Sequence, residues 1–246
     1  MVYLGRVVGA GYTRDGLPAV VYGVSVRSAP NKARKAMVVD TRAFIGSSLE
    51  GKTNLTEEES KILARQRETA EFIFYNGIIA SLGPYAPFVI VGNSVHTAQT
   101  LERFIDSKDG EDSVVQYVLN EYGPELDGPN RTPQTPRISG LIELGTNRSV
   151  LGIVSKASEA ITFMRPRKDG LIEGISTYAG EQQDPNAMVI NHDHSILTLP
   201  SEGRTAKKLS DDLFDWLDPN LRVCTAAAVW NSRENKWDLD KTNLHL

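Results

Sequence analysis

The chain has 246 residues, 40% of them hydrophobic and 24% charged, with a net charge of −4, which is the composition of an ordinary globular protein. A charge so near zero excludes a global field for nucleic acid, although a few local Arg and Lys residues suffice for one small phosphate. The single cysteine, Cys224, excludes an intrachain disulfide or a thiolate zinc cluster, and neither a signal-peptide pattern nor a run of ~18 apolar residues occurs, so a soluble, cytoplasmic protein is expected.

Val2 to Val8 and Pro18 to Val26 are β-rich and flank Thr13-Arg14-Asp15-Gly16. The Asp-Gly pair accepts positive φ at little cost, so the chain opens with a hairpin. Gly9-Ala10-Gly11 lies in that hairpin, without a third glycine or a following helix, and is not a dinucleotide fingerprint. A third strand is expected over Met37 to Ile45, then a Gly/Ser/Asn-rich loop over 46–55. Thr56 with Glu59 forms a capping box, starting a charged surface helix that runs to about Glu71 and reads as an insertion. Phe72 to Ile79 and Phe88 to Val91 read as strands, and Ser94 to Ile105 and Ser113 to Tyr122 as helices. A loop with four prolines covers Gly123 to Pro136. Ile138 to Leu144, Val150 to Val154, Ile161 to Met164 and Leu171 to Tyr178 alternate with turn residues like a β-meander. Leu209, Leu213 and Leu217 recur at helical spacing within Thr205 to Leu217. Leu221 to Trp230 is a final buried strand, and the polar C-terminal tail carries no expected element. Antiparallel runs with helices grouped between them give an α+β class. Neither a repeat nor a linker divides residues 1–246, so one domain is expected.

The densest polar cluster is Ser25, Arg27, Ser28, Asn31 and Lys32, after the second strand. Two cations with hydroxyl, amide and backbone donors make a phosphate cradle, while a solvated strand end is the commoner meaning of such a cluster. Tyr75-Asn76-Gly77 sets an aromatic hydroxyl beside an amide at a strand end, a pattern equally suited to half-buried packing. Gly92-Asn93-Ser94-Val95-His96-Thr97 joins a strand to a helix start, where N–H groups can hold an anion or a side chain can simply cap. Arg137, after a Pro-rich loop, faces either a substrate or an internal carboxylate such as Glu121 or Glu125. His192-Asp193-His194 reads as a polar turn rather than a metal site, since no third ligand stands at a suitable spacing. A phosphate-binding P-loop and a Ser nucleophile elbow are both missing.

In order along the chain these motifs resemble the archaeal-type IMP cyclohydrolase family. The resemblance begins with Tyr3, Gly5 and Arg6, is strongest in Tyr22-x-Val24-Ser25-x-Arg27-Ser28-x-Pro30-Asn31, and continues through Tyr75-Asn76, Asn93, His96-Thr97, Tyr117-Val118-Leu119 and Thr135-Pro136-Arg137-Ile138. It covers residues 1 to 145 clearly. The family carries Arg after Pro-Asn where this chain has Lys32, which keeps the charge but loses bidentate geometry.

The resemblance implies a four-layer αββα sandwich like that of the N-terminal nucleophile hydrolases, without their nucleophile, since position 2 is Val. It implies cyclisation of the formamidoimidazole-carboxamide ribonucleotide FAICAR to IMP with loss of water, requiring neither metal nor organic cofactor. Tyr75, Glu125, Arg27 and Lys32 are the implied catalytic residues; Glu125 is favoured over Glu121 as the acidic group. Arg6, Ser28, Asn31, Asn76, Asn93, His96, Thr97 and Arg137 are the implied substrate-binding residues. The expected partner is this nucleotide alone, with no nucleic acid or membrane; the oligomeric state is open. Two other functions fit the same residues: a silent purine-nucleotide-binding regulator, which Lys32 would signal, and an amidohydrolase with an internal Ser or Thr nucleophile.

Overall fold

The opening hairpin forms as its Asp-Gly turn requires. β1 (Arg6–Tyr12) and β2 (Pro18–Ser25) pair antiparallel, and Gly16 takes φ 75° in the turn between them. β1 starts later than the expected Val2 because Gly5 adopts φ 69°, a left-handed conformation that bends the chain just before Arg6. The computed structural model describes residues 3–26, 33–50, 52–68, 75–81, 87–106, 110–124, 135–155, 159–178, 191 and 195–244.

Among these residues the further elements are β3 (Arg34–Val39), β4 (Arg42–Ser47), α1 (Glu57–Glu68), β5 (Tyr75–Ser81), β6 (Phe88–Gly92), α2 (His96–Asp106), α3 (Glu111–Tyr122), β7 (Arg137–Glu143), β8 (Arg148–Val154), β9 (Ile161–Pro166), β10 (Leu171–Ser176), β11 (Ile196–Leu199), α4 (Ala206–Trp216), β12 (Arg222–Asn231) and β13 (Lys236–Asn243). The class is α+β, with two antiparallel sheets and four helices among the described residues. One sheet has the order β11-β10-β1-β2-β12-β13 and the other runs β3 to β9 in sequence order.

Three expectations are corrected. The strand expected over Met37 to Ile45 is a hairpin, β3 and β4, joined by Asp40 and Thr41, with Asp40 at φ 50°. Leu171 to Tyr178 does not continue the meander: β7, β8 and β9 do, but β10 crosses to the other sheet and pairs with β1. The tail is not unstructured, since β13 pairs with β12 over its whole length. It escapes notice because only Trp237 and Leu239 mark its apolar side.

Alternation along each strand divides three apolar clusters. Val20, Tyr22 and Val24 face the second sheet, where they meet Ile45, Tyr75, Ile78, Val89, Val91, Ile138 and Leu151. The opposite side of β2 and β12 (Ala19, Val21, Ala227, Val229) receives Leu209, Leu213 and Leu217 of the α4 stripe. Val115 and Leu119 of α3 cover Phe88, Ile90, Leu141 and Val150 on the outer side of the second sheet, with Leu101 and Phe104 of α2 beside them. Each such fully buried aliphatic side chain contributes about 1.5–3 kcal/mol of transfer free energy. The capping box forms reciprocally: Thr56 N–H donates to Glu59 Oε2 (2.9 Å) and Glu59 N–H to Thr56 Oγ1 (3.2 Å). α1 is anchored by Gln66, whose Nε2 donates to the Ala33 carbonyl at 3.3 Å.

Candidate functional site

The candidate residues gather at one end of the two facing sheets. There β1 begins at Arg6, opposite Val24 near the end of β2, and β3 begins at Arg34, opposite Ser47 at the end of β4. β5 begins at Tyr75, and β6 ends at Gly92, opposite Ser139 of β7.

Tyr75 owes its direction to an irregularity in β5. Phe44 pairs with Asn76 but Ala43 pairs with Ile78, so Gly77 is an extra residue against β4. Strand side chains alternate, and one inserted residue reverses the alternation beyond it. Ile78 and Ala80 point between the sheets, and across the bulge Tyr75 does so too. Its hydroxyl lies 2.5 Å from that of Tyr22, and the rings meet edge to face with centroids 6.3 Å apart. Glycine at 77 makes room for this: a Cβ there would stand 3.2 Å from Tyr22 Cδ1 and 3.5 Å from Ile45 Cγ1.

Charge in this pocket of the core is positive. Burial lowers the Arg34 guanidinium from its usual range, the nearby Arg6 charge lowers it further, and the Tyr75 and Tyr22 hydroxyls oppose this. Burial, then the neighbouring Tyr75, hold the Tyr22 phenol well above its usual range, against the Arg6 charge. Cys224 shares the pocket; burial pushes its thiol up to about 12, so it is no nucleophile at neutral pH. A buried guanidinium, Arg34, with the half-buried Arg6 acting on it, suits an anion or a developing oxyanion.

A second polar group stands at the same end of the second sheet and explains why Asn93, His96 and Arg137 occur together. Asn93 uses both ends of its amide: Nδ2 donates to the Pro136 carbonyl, and Oδ1 accepts from Ile138 N–H, each at 2.9 Å. His96 Nε2 is 3.2 Å from the Ile138 carbonyl; a carbonyl only accepts, so Nε2 carries the proton. Burial, aided by the Arg137 charge, pulls the imidazole down to about 3, leaving it neutral with Nδ1 unprotonated. Thr97 Oγ1 donates to the Ser94 carbonyl at 2.8 Å. The start of β7 thus held presents Arg137, whose Nη1 donates to Ser94 Oγ (2.5 Å) and Nε to the Gly123 carbonyl (2.7 Å). Its guanidinium also lies over the Tyr122 ring. Thr135 reaches across to the first sheet, its Oγ1 3.3 Å from the Tyr178 hydroxyl, and the Tyr178 ring stacks on Tyr3 with centroids 5.1 Å apart.

Of the residues singled out from the sequence, the structure brings Arg6 and Tyr75 into one cluster and Asn93, His96, Thr97 and Arg137 into the other. Asn76 is half-buried next to Tyr75, its Oδ1 buried without a hydrogen bond. Arg27, Ser28, Asn31, Lys32 and Glu125 lie outside the described residues, as does His192-Asp193-His194. Ser25 is buried and donates to the Gly5 carbonyl at 3.1 Å, tying the ends of β1 and β2. Among the described residues no three His, Cys, Asp or Glu side chains stand together as metal ligands would. Sequence reasoning passed over Tyr22 and Arg34 as site residues. Tyr22 had a signal: between Val20 and Val24 it shares their core-facing side, and a tyrosine there needs a polar partner for its hydroxyl. Arg34 had none, standing in a run with Lys32 and Lys35 that reads as surface charge.

A family model described as IMP cyclohydrolase-like protein matches residues 3–235. The chain belongs to that family. A relative named IMP cyclohydrolase, from Methanocaldococcus jannaschii, is 26% identical over 228 residues, covering 93% of this chain and 94% of the relative. The match takes in both polar clusters of this IMP cyclohydrolase-like chain, together with the hairpins and helices that carry them.

Proposed function

We propose that this protein cyclises FAICAR to IMP and water, on a four-layer αββα sandwich of the N-terminal nucleophile hydrolase type used without its nucleophile. Family membership and a relative named IMP cyclohydrolase over nearly the whole chain support the reading. The observation that carries it is the phenol pair of Tyr22 and Tyr75 beside Arg6 and Arg34.

The reaction defines what those groups have to do. A carboxamide nitrogen adds to a neighbouring formamide carbon, and the formyl oxygen leaves as water. The carboxamide nitrogen and the formamide nitrogen each give up one proton and the formyl oxygen takes two, with no change of oxidation state, and the reading assigns neither metal nor organic cofactor. Orientation comes first, because the amide nitrogen is a weak nucleophile and a near-attack geometry can remove several kcal/mol of barrier. The oxyanion on the formyl oxygen needs positive charge or donors, for which we assign Arg27, Lys32 and Tyr75. Proton transfer falls to Tyr75 and Glu125. Arg6, Ser28, Asn31, Asn76 and Arg137 would bind phosphate, ribose or base. Asn93, His96 and Thr97 would do so as the frame that sets Arg137.

The test is an assay of purified protein with FAICAR, following IMP by chromatography. Conversion is expected, and Tyr75→Phe should lower kcat by ~10²–10⁴-fold with a much smaller change in KM. IMP binding without conversion would replace this reading with that of a silent nucleotide-binding regulator. A chain cleaved inside its sequence, seen by intact mass, would favour the amidohydrolase.

A further inference from the structure

Tyr22 enters no step of the reaction above, yet three features of the fold converge on its hydroxyl. The β5 bulge turns Tyr75 inward. Gly77 leaves the space that the Tyr22 ring occupies. The two hydroxyls then meet at 2.5 Å, with Tyr22 wholly buried and Tyr75 retaining 5% exposure at the strand end. A phenol has one O–H donor and lone pairs that accept. Two phenols bonded to each other therefore use one proton between them, and the second proton is available in another direction. Burial keeps Tyr22 protonated, and the Tyr75 hydroxyl stands at hydrogen-bond distance to accept from it.

We propose that Tyr22 is a positioning residue: it donates to Oη of Tyr75, turning the Tyr75 proton towards the substrate's formyl oxygen and stabilising the phenolate left when that proton departs. The inference rests on the cyclohydrolase reading. In the step, the Tyr75 O–H bond breaks and an O–H bond forms on the formyl oxygen as the carboxamide nitrogen adds to the formyl carbon. The phenolate is then neutralised by a proton that the nitrogen releases, so Tyr75 ends as it began. Arg34 interacts electrostatically with both tyrosines and Arg6 with Tyr22, which puts positive charge beside the pair as negative charge develops on it.

A double-mutant cycle over Tyr22→Phe and Tyr75→Phe, with kcat and KM for FAICAR, decides the matter. Phenylalanine fills the same volume, and circular dichroism checks the fold. Tyr22→Phe is expected to lower kcat roughly 10- to 100-fold, as for loss of a hydrogen bond to a charged group, with KM changed by less than about 3-fold. In the Tyr75→Phe background it should cost nothing further. Unchanged kcat in Tyr22→Phe, or an equal loss in both backgrounds, overturns the inference while leaving the cyclohydrolase reading in place. Wild-type protein that does not convert FAICAR overturns both. A measurement without substrate guards against a variant that fails to fold: a slowly exchanging, downfield hydroxyl proton resonance is expected in the wild type and lost in Tyr75→Phe. Its absence from the wild type would also sink the proposal.

Discussion

His96 shows how far one side chain's meaning depends on its surroundings. Beside Thr97 at a helix start it reads as a group for substrate binding, yet its ring is buried and its Nε2 proton is committed to the Ile138 carbonyl. Burial holds the native imidazole to about 3, whereas in the unfolded chain it takes a proton near its ordinary 6.5. Between those values the unfolded state binds more protons, so stability falls as pH drops from 6.5 towards 3. Above 6.5 this group adds no pH dependence. The slope reaches ~1.4 kcal/mol per pH unit for one proton. His96→Gln should therefore flatten the acid side of a urea-unfolding series measured from about pH 6 down to about pH 4. Parallel slopes for the two proteins would mean that the native imidazole titrates normally. Tyr22 is the opposite case: it reads as a core residue and is one, and its chemical interest arises from what stands across the sheet interface. That a polar partner was needed could be read from the Val20-x-Tyr22-x-Val24 alternation; that the partner is Tyr75 could not.

At the level of elements, local patterns and packing agree in most places. The leucine stripe of α4, the capping box of α1 and the Asp-Gly hairpin are all specified within a few residues, and each forms. Thr205, expected at the start of α4, is its N-cap, with the side chain accepting from Lys208 N–H at 3.2 Å. The contact of α3 with β8 rests instead on a residue with no side chain. A Cβ on Gly152 would stand 2.5 Å from Val115 Cγ1 and 2.7 Å from Leu119 Cδ1. Both neighbours are themselves buried, so Gly152→Ala should force α3 off the sheet and lower the unfolding free energy by about 1–3 kcal/mol. Urea denaturation checks this, and an unchanged or improved midpoint would show that the helix relaxes freely. The bulge in β5 belongs to this scale too. Neighbouring Asn76-Gly77 hints at irregular backbone, but only the pairing of β4 with β5 shows that one residue is extra and that Tyr75 consequently turns inward.

For the whole molecule, the edges of the two sheets are joined through a segment that composition alone would leave out. Asn243, near the end of β13, donates from Nδ2 to the Ala36 carbonyl (3.1 Å) and accepts from Ala36 N–H through Oδ1 (2.7 Å). One amide side chain thus pairs with the backbone of β3 in the other sheet, while Trp237 packs against Trp230 with ring centroids 5.3 Å apart. Asn243→Ala leaves two backbone groups of Ala36 without these partners and should cost about 1–3 kcal/mol. Amide hydrogen exchange at Ala36 should speed up with the loss of stability measured by urea unfolding. Slow exchange in the variant would show that another group takes over.

The sequence by itself determined the α+β class, most strands and helices to within a few residues, and, through the order of its Tyr, Asn, His and Arg motifs, the family. Those properties are encoded locally, in side-chain periodicity, turn chemistry and capping, or in short motifs that keep their spacing. Tertiary structure alone decided which sheet each strand joins, that β10 leaves the meander for β1 and that β13 closes the other edge. It also decided that Asn93 and His96 grip the backbone of Ile138, and that Tyr22 and Arg34 stand with Tyr75 and Arg6. Strand partners and buried hydrogen bonds are chosen by competition among segments far apart in the chain. A tyrosine or an arginine carries no mark of the partner it will meet until the sheets that bear them pack face to face.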